Sequence, residues 1–253
     1  MEGEEGSKFF QQLLDIWVKP EIERRRQGGK LPDTFVLESA QVIMNVGSPT
    51  VVRLNGEVKA FMKVVPKGFP GQPGATVYWD EIERVEDFQL TEDDPNAGHA
   101  TMLRAGDGRW RLFFDFRYNA QRVGELLRAA EEFLAASEYA RSCGHPRALM
   151  ENLFAAAELM AKAELAMQPD ERILEARKHK FIGSRINMWA RLGNINQEFV
   201  DVLNQLLQER GTARYVEGEI EISDEMDKMV LVVKRQLAVM KRDTQGRFQP
   251  DLK

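Results

Sequence analysis

The stretch Pro146-Arg-Ala-Leu-Met-Glu-Asn-Leu-Phe-Ala-Ala-Ala-Glu-Leu-Met-Ala-Lys162, closed farther on by Leu206-Leu-Gln-Glu-Arg210-Gly-Thr-Ala-Arg214-Tyr215, decides the reading of this chain. Proline at a first helical position needs no N–H partner, and Leu149, Leu153, Ala156, Met160 and Ala163 then recur every three or four residues until Pro169. This is one face of a helix, and everything after residue 119 reads as further helices packed around it.

Working outward, Asn119 is expected to cap a helix from Ala120 whose stripe is Val123, Leu126, Leu127, Ala130, Phe133 and Leu134. Asp170 caps a third helix running to about Leu192, with an interruption expected near Gly183-Ser184, and Gly193 closes it. Asn196 caps a fourth carrying Phe199, Val202, Leu203, Leu206 and Leu207, which Gly211 is expected to end. Ser223 with Asp224 and Glu225 starts a last helix, with Met226, Met229, Val230, Val233, Leu237 and Met240 inside and Lys241 and Arg242 at its end. Residues 243–253 read as a flexible tail.

Toward the N-terminus the period changes. Ser7 reads as the cap of a leading helix with Phe9, Phe10, Leu13, Ile16 and Trp17 at helical spacing, kinked or restarted at Pro20 and ended by Gly28-Gly29. The run Arg24-Arg25-Arg26 either touches phosphates or forms a solvated basic last turn; its place at the helix C-terminus favours the second. Val51–Leu54 and Glu57–Val65 flank Asn55-Gly56, a pair suited to a type I′ hairpin turn. Residues 66–74, rich in proline and glycine, form a loop, and Thr76–Leu90 one or two strands. A second hairpin joins Ala100–Arg104 to Arg109–Arg117. Its return strand alternates, with Trp110, Leu112, Phe114 and Phe116 on a core face and Arg109, Arg111, Phe113, Asp115 and Arg117 on the other.

The fold class is therefore α+β: residues 1–118 as a small antiparallel sheet domain with a leading helix, and 119–242 as an all-α bundle. A chain of 253 residues that is 43% hydrophobic and 30% charged suits two modest domains and excludes global disorder. The single cysteine, Cys143, forms no internal disulfide, and no apolar run approaches the roughly 18 residues of a membrane span, so the expected compartment is the cytoplasm. Net charge is -5. A nucleic acid would have to be held by a local cluster of Lys and Arg rather than by bulk charge.

Together the Pro146–Lys162 helix, His179 within Arg-Lys-His-Lys, and Arg210-Gly-Thr-Ala-Arg-Tyr215 followed by the Ser223 start resemble the HEPN domains, over residues 120 to about 242. The resemblance implies a helical bundle that pairs as a symmetric homodimer, often in a bacterial stress, defence or toxin-antitoxin setting. It also implies a site of the form Arg-x-x-x-x-His at the dimer cleft, the arginine holding a phosphate and the histidine helping to deprotonate a 2′-hydroxyl. That chemistry needs a group titrating near neutral pH. Here Arg210 matches the arginine, but Tyr215 stands where the histidine belongs, and a phenol with a pKa of about 10 is a poor general base.

The expected activity is therefore binding, of RNA, nucleotide or a protein partner, at Arg210, Arg214, Tyr215 and His179. The alternative is a metal-independent ribonuclease using Arg210, Tyr215 and His179. His179 with Glu175 one turn before it makes at most half a metal site, and Cys143-Gly-His145 lacks an orienting third group, so neither a metal nor a cofactor is expected. A second candidate surface interleaves Arg109, Arg111, Phe113 and Arg117 with Lys59, Phe61 and Lys63, a stacking platform if the two hairpins adjoin and a solvated sheet face otherwise. The acidic stretch 80–94 is a candidate for a basic protein partner, or keeps an edge strand soluble.

Overall fold

The computed structural model describes residues 4–68, 74–91, 93–170, 172–173, 179–215 and 221–244. The chain divides into two compact units, Met1–Tyr118 and Asn119–Lys253.

The first unit begins with α1 (Glu4–Leu13), a π-helical segment (Leu14–Val18) and α2 (Lys19–Gln27). Ser7 lies inside α1 rather than capping it, since the helix already starts at Glu4. The π segment ends just before Lys19-Pro20, where the proline has no N–H for the helical ladder, so the restart expected at Pro20 takes the form of one widened stretch. Gly28 and Gly29 close α2, with Gly29 at φ 66 and the Lys30 amide donating to the Arg25 carbonyl at 2.8 Å.

Among the described residues the strands that follow are β1 (Ser39–Met44), β2 (Val51–Leu54), β3 (Ala60–Pro66), β4 (Ile82–Leu90), β5 (Gly98–Arg104) and β6 (Trp110–Asp115). They form an antiparallel sheet in the order β2-β1-β5-β6 and a separate antiparallel ribbon, β3-β4. The β5–β6 hairpin is as the alternation predicts. The Asn55-Gly56 hairpin is not: β2 pairs with β1 and β3 with β4, and Asn55–Glu57 is a 3-10 turn. The physical reason lies in long-range partners of Asn55. At φ 47 it accepts the amides of Glu38 (2.8 Å) and Ser39 (3.1 Å) on Oδ1, and its Nδ2 donates to the Val36 carbonyl (2.8 Å). The turn is thereby tied to the start of β1 and sends β3 away from β2.

One face of the four-stranded sheet (Ala40, Val42, Leu54, Ala100, Met102) packs on Leu13 and Val18, with Phe9, Phe10, Trp17 and Ile22 around them. Trp110 and Leu112 join this core as the alternation predicts, whereas Phe114 is 44% and Phe116 39% exposed; the two stack on each other and meet the ring of Phe9 at the rim. The other face is covered too. Gln41, Ile43, His99 and Thr101 are buried, Phe88 of the ribbon stacks on Phe113, and the Gln41 amide reaches the Lys59 carbonyl.

In the second unit α3 (Ala120–Ser142) folds back through Cys143–His145 into α4 (Pro146–Ala166), followed by α5 (His179–Arg191), α6 (Gln197–Tyr215) and α7 (Asp224–Thr244). All five apolar positions of α4 named from its period are buried, as are Phe154, Ala157 and Ala161, so α4 is the central helix and touches each of the other four. Asn119 does not cap α3 with its side chain. It sits buried at φ 57, and its Nδ2 donates to the Ala166 carbonyl at the far end of α4 (2.7 Å). Helix α5 runs unbroken through Gly183-Ser184, and α6 runs past Gly211 to Tyr215, so neither expected interruption exists. A single glycine costs about 1 kcal/mol in a helix, which the packing of these helices on α4 overrides. The apolar positions named for α7 are all buried. On the α3 and α6 stripes Phe133 and Leu207 are exposed, at 40% and 38%, and Val202 is half-buried. Three cross-helix ion pairs, Arg141–Asp227, Glu138–Lys234 and Glu131–Lys241, set α7 antiparallel to α3. The tail beyond residue 244 lies outside the described residues.

Two outcomes are expected. Asn55→Gly removes the strain of a positive φ but loses three hydrogen bonds, and should lower the stability of the first unit by about 1–3 kcal/mol in urea denaturation; an unchanged midpoint would mean that the turn does not anchor β1. The second concerns Glu21, whose carboxyl is lowered to about 2 by hydrogen bonds from Arg24 and then Arg25 against its burial. A lowered folded-state value contributes stability above the ordinary carboxylate range, lost as pH falls from about 4.5 toward 2. Glu21→Gln should therefore be less stable than the parent at pH 7, with the gap closing over that window.

Candidate functional site

Among the sequence-derived candidates, Arg210 is the one whose surroundings are most fully described. It stands on α6 facing α4, with its side chain 18% exposed. Glu151 and Phe154 are three residues apart on α4 and so share one face of that helix. Arg210 Nε lies 3.4 Å from Glu151 Oε2, and its guanidinium carbon lies 4.5 Å above the centre of the Phe154 ring. Such a guanidinium is paired, stacked and largely withdrawn from water, at work holding α6 to α4. Glu151 Oε1 is buried and receives no hydrogen bond. Among the described residues this partner is a carboxylate 59 positions earlier in the chain, and Glu217, an acid close in sequence, lies outside them.

Arg214 and Tyr215 belong to the last turn of α6, because the helix does not stop at Gly211. His179 opens α5. The side chains of all three, and Glu175, lie outside the described residues. What is described is how α5 is registered on α6: the Asn187 and Asn204 amides exchange hydrogen bonds at 3.1 and 2.9 Å. This reciprocal pair between two half-buried asparagines was not singled out by sequence reasoning, which has no means of pairing polar residues 17 positions apart on different helices. At the start of the same region Asp170 accepts the Arg172 amide as a cap should, and also binds the Arg172 and Arg185 guanidinium groups; Arg172, chiefly, holds its carboxyl below the usual range.

The sheet platform is not assembled. Phe61 and Lys63 belong to the ribbon, and Lys59 immediately precedes it; none is in the sheet of β6. In the ribbon register Phe61 lies opposite Gln89 and Met62 opposite Phe88, so Phe61 and Lys63 stand on the face turned away from the Phe88–Phe113 stack. Phe113 lies flat on Phe88, with centroids 4.5 Å apart and planes 7° apart, which occupies the ring face a base would need. Arg111 binds Asp107, Arg117 binds Asp115, and the Arg109 amide is held by the Asp107 carboxylate. Under the ribbon lies instead a polar chain: His99 Nδ1 to Thr101 Oγ1 (3.1 Å), Gln41 Nε2 to the same oxygen (3.1 Å), Arg53 Nη1 to Gln41 Oε1 (3.3 Å), and Arg53 to Asp94 (2.8 Å). The only trace of it in the sequence is a glutamine inside the apolar run Ala40–Met44.

In the acidic stretch several charges are already used. Glu86 binds Lys63 and Arg84, Asp94 binds Arg53, and the Glu81 carboxylate accepts the Tyr78 amide. Cys143 is exposed in the α3–α4 turn with its sulfur 4.0 Å from the Ser142 hydroxyl.

With this geometry in view, residues 123–243 match the family model of the HEPN domain. No curated protein and no solved structure matches the chain. The β-rich part of the N-terminal unit has no family assigned.

Removing the Arg210 guanidinium leaves a buried carboxylate oxygen and an uncovered ring, so Arg210→Ala should lower the stability of the helical unit by about 1–3 kcal/mol. Arg210→Lys should recover part of this, because it restores the charge but not the plane. A thermal melt in which Arg210→Ala matches the parent would contradict the pairing.

Proposed function

Since the C-terminal unit is a HEPN domain, we propose that the protein acts as a HEPN-type binding protein for RNA or a nucleotide, and not as an RNA-cleaving enzyme of the Arg-x-x-x-x-His kind. The observation that carries this reading is the state of Arg210. The arginine in the motif position is paired with Glu151 and stacked on Phe154 inside the helical unit, and Tyr215 stands where the titrating base should be. A guanidinium spent in this way is poorly placed to stabilise a cleaving phosphate, and a phenol does not take a proton near neutral pH. Binding then falls to Arg214, Tyr215 and His179, where a cation, a hydroxyl and an imidazole suit a phosphate. The bacterial stress or defence setting, the cytoplasmic location and a basic partner for the acidic stretch belong to the same proposal.

The proposal extends to a symmetric homodimer through the helical domain. HEPN domains often dimerise. The end of α5 supports it: Met188 is 40% exposed and Leu192, just beyond the helix, 64% exposed, while Ile182 and Ile186 are buried in the core.

Two measurements test the reading. The purified full chain, incubated with mixed RNA, should retain it on a filter at low salt without shortening it, and Arg214→Ala should lower retention about tenfold while leaving the melting temperature unchanged. Cleavage that disappears in Tyr215→Phe and Arg210→Lys would establish the competing ribonuclease reading instead. In sedimentation the parent should run as a dimer at micromolar concentration and the Met188→Glu, Leu192→Glu variant as a monomer; a monomeric parent would remove the dimer from the proposal.

A further inference from the structure

The first unit contains a cleft that the helical domain's function does not use. Leu14, Val18, Ile22 and Arg26 follow one another at intervals of four through the π segment and α2, and form one wall. Phe35 and Leu37 form the other, Phe35 being placed by a turn in which its amide donates to the Pro32 carbonyl at 3.0 Å. The cleft is open to solvent, with a volume of about 490 Å³, within the roughly 300–1,000 Å³ of small-molecule sites. Val18 is fully buried at the bottom, the other apolar residues are half-buried, and Lys19, Glu23 and Arg26 stand at the rim. A widened turn of π-helix in a cleft wall is a frequent companion of binding sites.

The charges decide what fits. Of the three consecutive arginines, Arg24 is held by Glu21, and Arg25 by Glu21 and Glu57. Lys19 is held by Asp15, and Glu23 accepts from Gln27. Arg26 lines the cleft, and its guanidinium has no ion pair or hydrogen bond among the described residues. We propose that this cleft binds a small amphipathic monocarboxylate, its apolar body against Leu14, Val18, Ile22, Phe35 and Leu37 and its carboxylate on Arg26. The planar fork of arginine matches a carboxylate with two parallel hydrogen bonds. A doubly charged anion such as a phosphate monoester is disfavoured, because Glu23 lies one turn away and the carbonyl end of α2 is close.

Calorimetric titration of the full chain with decanoate and with decanol, below micelle-forming concentrations, tests this. Decanoate should bind about tenfold tighter than decanol. Arg26→Gln should abolish that difference by weakening decanoate alone, without moving the melting temperature. Arg24→Gln, whose partner Glu21 lies outside the cleft lining, should leave both affinities as in the parent. Ile22→Glu, which puts an acid on the wall, should abolish decanoate binding. The proposal is overturned if decanoate does not bind at millimolar concentration, if the acid and the alcohol bind equally to the parent, or if Arg24→Gln and Arg26→Gln weaken decanoate alike.

Discussion

A helix whose buried residues run most of the way round it has to be enclosed on several sides, and α4 imposes that condition on the second unit. Met150, Leu153 and Phe154 are as buried as Ala156, Ala157 and Ala163, so successive sides of the helix are covered by different neighbours. The alanines let those neighbours come close, and burial of each larger side chain contributes roughly 1.5–3 kcal/mol toward holding them there. The same enclosure explains the fine structure at its ends. Asn119 enters the bundle in a left-handed conformation because its amide is needed at the Ala166 carbonyl, and the short turn through Gly144 brings α3 directly back onto α4.

A polar group on such a helix is partly withdrawn from water and gains from a partner on a neighbour. Glu151, half-buried, is such a group, and Arg210 pairs with it. This links packing to function. Arg210, on whose surroundings the proposed function turns, is here part of the bundle's internal electrostatics through Glu151 and Phe154. Packing also carries α6 through Gly211, which keeps Arg214 and Tyr215 on the helix rather than on a returning loop.

The first unit meets a related constraint with a different solution. A four-stranded sheet with both faces covered must satisfy any side chain that points into either layer. On the helix side the residues are apolar, whereas under the ribbon Gln41, Thr101, His99 and Arg53 are linked by hydrogen bonds and Arg53 pairs with Asp94. The stacking of Phe113 on Phe88 belongs to the same cover, so on the second side of β6 the aromatic is enclosed while Arg109, Arg111 and Arg117 stay exposed.

What the sequence determined by itself was whatever depends on local period and local caps. These are the helical character of the region after residue 119 among the described residues, the buried stripes of α4 and α7, the α4 start at Pro146, the closures at Gly29 and Gly193, and the β5–β6 hairpin. Each is decided by residues within one or two turns of each other, and the motif set at Pro146–Lys162 and Arg210–Tyr215 was specific enough to point to the HEPN domain. Tertiary structure alone decided the partners of Asn55, Arg210, Asn187 and Gln41, because a hydrogen bond or ion pair between residues far apart in the chain leaves no periodic trace. Asn55-Gly56 has the local chemistry of a hairpin turn, yet its hydrogen bonds to Val36, Glu38 and Ser39 commit it to another strand. Gly183 and Gly211 have the local chemistry of helix ends, yet burial of the helices that contain them outweighs about 1 kcal/mol of propensity at each.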